Sequence, residues 1–148
     1  LTEDELISLE ILQLKTKTEP IFKDDQLEVK IDVHINGTIA DNMSINRTIN
    51  ETFFKEVEKS ISTRATKVIR STLHKLQNEL KTDITDIGVK TYRKYPKKWK
   101  EISHEWDEVF ANANISINVE TNIVHQGLIN KNINREQNRH NHPYLFWK

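Results

Sequence analysis

The segment from Leu27 to Asn36 alternates strictly between apolar and polar residues. Five apolar side chains would therefore lie on one side of an extended chain, and five polar ones would lie on the other. Because successive side chains of a strand point to opposite faces, this pattern predicts a β-strand in a sheet with one face in water. Such a sheet needs a covering layer on its apolar side only.

A weaker alternation predicts a strand from Ile7 to Lys17. Its phase shifts between Ile11 and Leu12, and a shift of this kind is typical of a β-bulge. We expect Pro20 to break this strand, and the polar run 23–25 to form the turn that follows. A third alternating segment predicts a strand from Ile115 to Val124.

Between the second and third strands, apolar residues recur every three or four positions from Phe54 to Leu80. This spacing predicts one long amphipathic helix, capped by Asn50 or Thr48 and ending near residues 81–82. The stripe consists of Phe54, Val57, Ile61, Ala65, Val68, Ile69, Leu73, Leu76 and Leu80.

A second helical region is expected to start near Asp83 or Thr85 and to be interrupted at Pro96. Proline is tolerated in the first turn of a helix but breaks its interior, so a new helix should begin at Pro96. One apolar face of this second piece comprises Trp99, Ile102, Trp106, Val109 and Phe110.

These elements predict an α+β fold. The expected sheet is antiparallel or mixed and has at least three strands, with one face covered by the long helix and the proline-broken helix. Residues 1–129 should form this domain. Residues 130–148 read as a polar, loosely ordered tail, although the apolar segment Tyr144–Trp147 near its end offers a docking point.

Composition excludes several classes of function. The 22 Lys and Arg balance the 22 Asp and Glu, so the chain lacks the basic excess of a nucleic-acid-binding domain. The absence of cysteine removes thiolate catalysis, disulfides and cysteine-based zinc sites. The three glycines form no phosphate-binding motif, and no apolar run is long enough to span a bilayer.

The histidines and carboxylates form no recognisable catalytic or metal-binding motif. His104–Glu105 lacks the second histidine of a zincin motif, since position 108 is Glu. The pair His140 and His142 supplies only two ligands, and a stable zinc site needs three or four. We predict turn and capping roles for the carboxylate pairs Asp24/Asp25 and Asp83/Asp86, and therefore no catalytic residue, metal or cofactor.

A basic cluster around Pro96 leaves two interpretations open. It can contact an anionic membrane surface or an acidic partner, or it can form a solvated face whose lysine stems cover the aromatic rings beneath. Two roles are likewise open for the aromatic residues Tyr95, Trp99 and Trp106: packing in the core against the sheet, or anchoring an interface with a partner. The cluster comprises Lys90, Arg93, Lys94, Lys97, Lys98 and Lys100.

An ordered series of acidic, glycine, basic, proline and aromatic residues begins at residue 83 and comprises Asp83, Gly88, Arg93, Pro96, Trp99, Trp106, Phe110 and Gly127. This motif resembles the C-terminal domain of the Ger(x)C spore-germination proteins, the C subunits of germinant receptors. The chain departs from that pattern at Ile87, where an aromatic residue is expected, and in its long polar tail. With the preceding strands and long helix, the resemblance covers about 130 residues. The motif part of the resemblance covers roughly residues 83–129.

The resemblance implies a non-enzymatic subunit domain that acts in receptor assembly and signalling during nutrient-triggered germination. It implies a lipoprotein, anchored through an N-terminal cysteine to the outer face of the spore inner membrane, with multi-pass A and B subunits as partners. Because the chain opens on Leu1 without that cysteine, we expect it to be part of a longer protein. Two alternatives stay open, a germinant-binding domain and a membrane-surface contact through the basic cluster.

Overall fold

The computed structural model describes residues 7–39 and 50–124. Two strands come first, four helices, a π-helical turn and a 3₁₀ turn follow, and a third strand ends the described chain. Gly127, the 130–148 tail, its apolar end, His140, His142 and Thr48 lie outside the described residues. The elements are β1 (Leu9–Lys23), β2 (Gln26–Ile39), α1 (Glu51–His74), a π-helical turn (Lys75–Leu80), α2 (Ile87–Lys94), α3 (Pro96–Ile102), a 3₁₀ turn (Ser103–Glu105), α4 (Trp106–Ala111) and β3 (Asn114–Ile123).

The three strands form one mixed sheet in the order β1-β2-β3. β1 and β2 are an antiparallel hairpin, whereas β3 runs parallel to β2. A parallel neighbour requires a crossover connection, and the helices between β2 and β3 supply it. The α+β prediction is confirmed, with the apolar side of β2 buried beneath the helices at Leu27, Val29, Ile31, Val33 and Ile35.

The expected end of the first strand is wrong. β1 continues through Pro20, which pairs with Val29, and reaches Lys23. β1 lies at the edge of the sheet, and edge strands tolerate proline because one side of the strand has no ladder to lose. The turn itself is confirmed, since Asp24 and Asp25 have φ angles of 48° and 64°, as in a two-residue hairpin turn.

The predicted bulge in β1 is also confirmed. The register between β1 and β2 shifts between Ile11 and Gln13, which leaves Leu12 as the extra residue. Gly37 of β2 pairs with Ile11 beside this bulge. A side chain at Gly37 would stand 2.8 Å from the Glu10 carbonyl oxygen, so the bulge brings the two backbones unusually close.

The long helix begins as predicted, because the Asn50 side chain accepts a 2.9 Å hydrogen bond from the Phe53 amide. The predicted apolar stripe is wrong at two positions. Val68 is 59% exposed, because it lies about 100° around the helix from Ile69, which packs against the core. Leu80 is 64% exposed, where the π-helical turn ends and the chain turns away through a left-handed Lys81.

The second helical region is divided more often than predicted. α2 begins at Ile87 rather than near Asp83 or Thr85, and Pro96 is the first residue of α3, as expected. The expected continuous helix after Pro96 is wrong, because the 3₁₀ turn separates α3 from α4. In a continuous helix, Trp99 and Trp106 would lie about 10 Å apart along the axis. The break instead brings their ring centroids to 5.0 Å.

Candidate functional site

The Asp83 carboxylate joins three parts of the helical layer. One oxygen accepts hydrogen bonds from the backbone amide and the hydroxyl of Thr85, at 2.9 and 2.8 Å. The other accepts from the Gly88 amide at 2.6 Å and from the Trp106 indole Nε1 at 3.3 Å. The side chain therefore caps the first turn of α2 and ties that turn to α4.

The hydrogen bonds determine the charge of this carboxylate. Partial burial alone would raise the pKa of Asp83, but the bonds from Gly88 and Thr85 outweigh it. The net result is a pKa below the ordinary value, so Asp83 is ionised at neutral pH. An ionised acceptor makes stronger hydrogen bonds than a neutral one, which strengthens the connection between α2 and α4.

Gly88 is needed because the indole of Trp106 packs directly against its backbone. An added Cβ would lie 2.9 Å from Trp106 Nε1 and 3.3 Å from the nearer Asp83 oxygen. Gly88 is buried in the first turn of α2 and its φ angle is not positive. The requirement is therefore for space and not for an unusual backbone conformation. Asp83, Gly88 and Trp106 form a unit that we call the α2–α4 lock.

A row of aromatic rings extends from the lock along the helices. Trp99 lies between Tyr92 and Trp106, with centroid distances of 6.2 and 5.0 Å. Trp99 and Trp106 are half-buried, whereas Phe110 is completely buried. The structure therefore places Trp99 in the packing of the helical layer, with part of its ring left at the surface.

Gln77 in the π-helical turn is a residue that the sequence analysis missed. Its side-chain amide donates to the carbonyl oxygens of Phe110 and Ala113, at 2.9 and 2.8 Å. These two carbonyls lie where α4 ends and β3 approaches, so Gln77 satisfies acceptors that the helix end leaves open. A lone glutamine near the end of an apolar stripe gives no sequence signal for this contact.

The basic cluster is divided between two roles. Lys94 binds Glu19 at 2.9 Å and the Pro20 carbonyl at 3.0 Å, and Lys98 binds Asp25 at 2.9 Å. The hydrogen bond with Glu19 raises the pKa of Lys94 and lowers that of Glu19. These two lysines attach the helical layer to the β1–β2 hairpin, while Lys90, Arg93, Lys97 and Lys100 form no ion pair within the described residues.

Other surface features were not anticipated from the sequence. The middle of α1 carries a row of cations, Lys59, Arg64, Lys67 and Arg70, in a stretch without a single acidic residue. This signal could have been found, because no Asp or Glu occurs between Glu58 and Glu79. The first half of β1 exposes Ile11, Leu12 and Leu14, although alternation predicts that one face of a strand is covered.

Within residues 7–39 and 50–124, no three histidine or carboxylate side chains converge into a group that could hold a metal ion. Asp24 and Asp25 occupy the hairpin turn, and Asp83 is engaged in the lock. The helices of the same part of the chain are too short or too polar to cross a membrane.

The fold and the lock define a class of small α+β domain in which helices between β2 and β3 are fastened over one face of a three-stranded mixed sheet. Residues 2–127 match the family model described as spore germination B3/GerAC like, C-terminal. The chain belongs to this family, and the resemblance drawn from the motif residues is confirmed.

Several relatives from Bacillus subtilis (strain 168) agree with this assignment. The chain is 24% identical to spore germination protein YndF over 123 residues, which are 83% of this chain and 30% of that protein. It is 26% identical to spore germination protein KC over 131 residues, which are 88% of this chain and 32% of that protein. The chain thus spans about a third of the length of the curated relatives it matches.

A solved structure shares the fold. The crystal structure of the GerBC protein superposes with a TM-score of 0.75 at 20% sequence identity. The match covers 84% of this chain and 39% of the GerBC chain. The arrangement of strands and helices described above is therefore the fold of the GerBC protein.

Proposed function

We propose that this domain is a non-enzymatic part of a spore germinant receptor C subunit and serves receptor assembly and signalling during nutrient-triggered germination. The observation that carries the proposal is an exposed apolar edge at the start of β1. Membership of the germination family supplies the biological setting, and the exposed edge supplies a surface on which another protein can dock.

This β1 edge, as we call it, consists of Ile11, Leu12 and Leu14. Their side chains are 57%, 51% and 60% exposed, and they follow one another along a strand at the border of the sheet. Water-soluble domains usually protect such edges with charge or proline, because unpaired strands with apolar side chains associate with other chains. In β1 the lysines and Pro20 come only after Leu14, so the apolar part stands open.

The proposed partners are the multi-pass A and B subunits of the receptor. The proposed location is the outer face of the spore inner membrane, through a lipid anchor on a preceding part of the full-length protein. Lys94 and Lys98 of the basic cluster are already engaged in ion pairs within the domain, so fewer of its cations are free to bind lipid headgroups. For this reason we place the main contact at the apolar β1 edge, with a protein partner. Membrane contact through the remaining cations and direct germinant binding stay predictions.

The test replaces Leu12 and Leu14 together by lysine in the full-length protein, in spores of the host organism. We expect less A and B subunit to be recovered with the detergent-extracted protein, and slower germination with nutrients. Both side chains are more than half exposed, so the domain should keep its thermal stability.

Val68→Lys is the matched control, since Val68 is as exposed as Leu14 but lies on α1, away from the β1 edge. This variant should leave subunit recovery and germination unchanged. If Leu12→Lys/Leu14→Lys spores assemble and germinate like the wild type, the β1 edge has no role in assembly and the proposal loses its basis.

A further inference from the structure

A groove of about 680 Å³ runs between α1 and the outer edge of β3, on the opposite side of the sheet from the β1 edge. One wall is the polar flank of α1, which includes Ser62, Thr66, Lys67 and Arg70. The floor is the edge of β3 at Ile117, Asn118 and Val119. The groove thus combines a strand border with a cationic helix flank.

Two backbone amides at the floor face the outer edge of β3, away from β2. Val124 donates its amide to Gly37 of β2, whereas the preceding amide, that of Ile123, donates to the Glu58 carboxylate of α1. Because successive amides of a strand point to opposite edges, those of Val119 and Ile117 share the direction of Ile123. They face away from β2, and no acceptor from the described residues reaches them.

Glu58 shows which chemistry this edge binds. Its carboxylate satisfies the edge amide of Ile123 at 2.9 Å. One turn further along α1 the equivalent position is Ser62, which binds the Thr121 hydroxyl at 2.8 Å, and the next is Thr66. From Ser62 onward the polar side chains that α1 brings to this groove are hydroxyls, cations and His74, so no carboxylate of this wall serves the amides of Val119 and Ile117.

The charge of the wall is not neutralised within the described part of the chain. Lys67 and Arg70 line the groove and form no ion pair within the described residues, and Lys59 lies earlier on the same helix, outside the groove. The full chain has zero net charge, so this concentration of cations is a local feature. Complementary charge is the usual means by which an interface selects and orients its partner.

We propose that the β3 edge accepts an extended, acidic polypeptide segment of a partner protein as an additional strand. The backbone of this segment would pair with the free amides of Ile117 and Val119. Its carboxylates would pair with Lys67 and Arg70. Strand addition of this type derives affinity from main-chain hydrogen bonds and specificity from flanking side chains. A flat anionic bilayer could meet the cations but not the edge amides. The inference stands independently of the function proposed for the β1 edge.

The experiment uses the 148-residue chain and a fluorescently labelled peptide of about ten alternating Glu and Thr residues, which favours the extended state. The same peptide with Gln in place of Glu is the neutral probe. Binding is followed by fluorescence anisotropy at several salt concentrations, and amide protection at Ile117 and Val119 by NMR-detected hydrogen exchange. Vesicles of phosphatidylglycerol form a separate arm of the experiment.

We expect the acidic peptide to bind, to weaken with added salt and to protect both amides from exchange. Lys67→Glu/Arg70→Glu should weaken binding about tenfold or more. The matched control, Arg64→Glu/Lys75→Glu, changes the charge of α1 and of the π-helical turn after it by the same amount but outside the groove, and it should stay within about twofold of the wild type.

Four results would overturn the inference. They are no binding of the acidic peptide, equal binding of the neutral one, equal losses in the two double variants, and binding to vesicles alone without protection of Ile117 and Val119. The last result would assign the cations to a membrane surface instead.

Discussion

Asp83 and Trp106, 23 positions apart in the chain, meet through a 3.3 Å hydrogen bond from the indole nitrogen to a carboxylate oxygen. The same oxygen accepts the Gly88 amide, so that one atom holds the start of α2 and the start of α4 together. Asp83, Gly88 and Trp106, three of the residues on which the resemblance was based, therefore meet at a single contact. The lock holds α2 against α4. The helical layer packs on one face of the sheet, whose two outer strands carry the β1 edge and the β3 edge.

Removing the Asp83 side chain should destabilise the domain. Asp83→Ala leaves the buried Gly88 amide without an acceptor, and an unsatisfied buried donor costs about 1–3 kcal/mol. Urea unfolding of the purified chain measures the loss. Asp86→Asn is the control, because Asp86 makes no capping bond and asparagine tolerates its left-handed backbone. That control should change the free energy of unfolding by less than about 0.5 kcal/mol. An equal loss in both variants would contradict the role of the lock.

The lowered pKa of Asp83 predicts a dependence of stability on pH. In the folded state this carboxyl binds a proton less readily than in the unfolded chain, so the unfolded state holds more protons in acid. The contribution of Asp83 is complete above its ordinary pKa of about 3.9, and it is lost as the pH falls through the folded value.

The difference in unfolding free energy between the wild type and Asp83→Asn should therefore be largest near neutral pH and shrink in acid. Urea unfolding from neutral pH down to about pH 3 would show it. Glu19, whose pKa is also lowered, titrates in both proteins and cancels from the difference. A difference that is constant over this range would show that the charge of Asp83 contributes nothing to stability.

Local sequence patterns predicted the elements in which buried and exposed side chains repeat with a regular spacing along the chain. The alternation from Leu27 to Asn36 predicted β2, because a strand with one buried face shows its burial directly in its sequence. The phase shift after Ile11 predicted the bulge for the same reason. Even the Asn50 cap followed from the residue type, since the capping bond reaches only to Phe53.

Features that depend on distant partners were not predictable in this way. Whether Pro20 ends a strand depends on whether that strand is at an edge, and only the pairing of β1 with β2 decides this. The motif residues Asp83 and Trp106 could be recognised, but their contact joins residues 23 positions apart and depends on how α2 and α4 pack together. The cationic wall of the β3 groove exists only because α1 lies along that strand.

Two of the three aromatic motif residues, Phe110 and Trp99, should differ in their contribution to stability. Phe110 is completely buried, so Phe110→Ala should cost about 3–5 kcal/mol. Trp99 is half-buried between two rings, and Trp99→Ala should cost about 1–3 kcal/mol from partial burial and lost ring contacts. Thermal or urea unfolding of both variants measures the order. A loss for Trp99→Ala well below about 1 kcal/mol, together with impaired receptor assembly, would instead place this ring in an interface.

Gly88 provides the sharpest test of the lock, because two physical effects oppose each other there. In an exposed helix, replacing glycine by alanine gains about 1 kcal/mol of helix propensity. At Gly88 the added methyl group would lie 2.9 Å from Trp106 Nε1, and overpacking of this kind costs about 1–3 kcal/mol. We therefore expect Gly88→Ala to lower the free energy of unfolding.

The steric origin of that loss can be separated by a double-mutant cycle with Trp106→Phe, which removes the ring atoms nearest to Gly88. The smaller ring should accommodate the methyl group, so that Gly88→Ala costs less in the Trp106→Phe background, with a coupling of about 0.5–3 kcal/mol. Urea unfolding of the four proteins gives the coupling directly. Additive losses would mean that Gly88 and Trp106 act independently, and the close packing seen between them would then not account for the glycine.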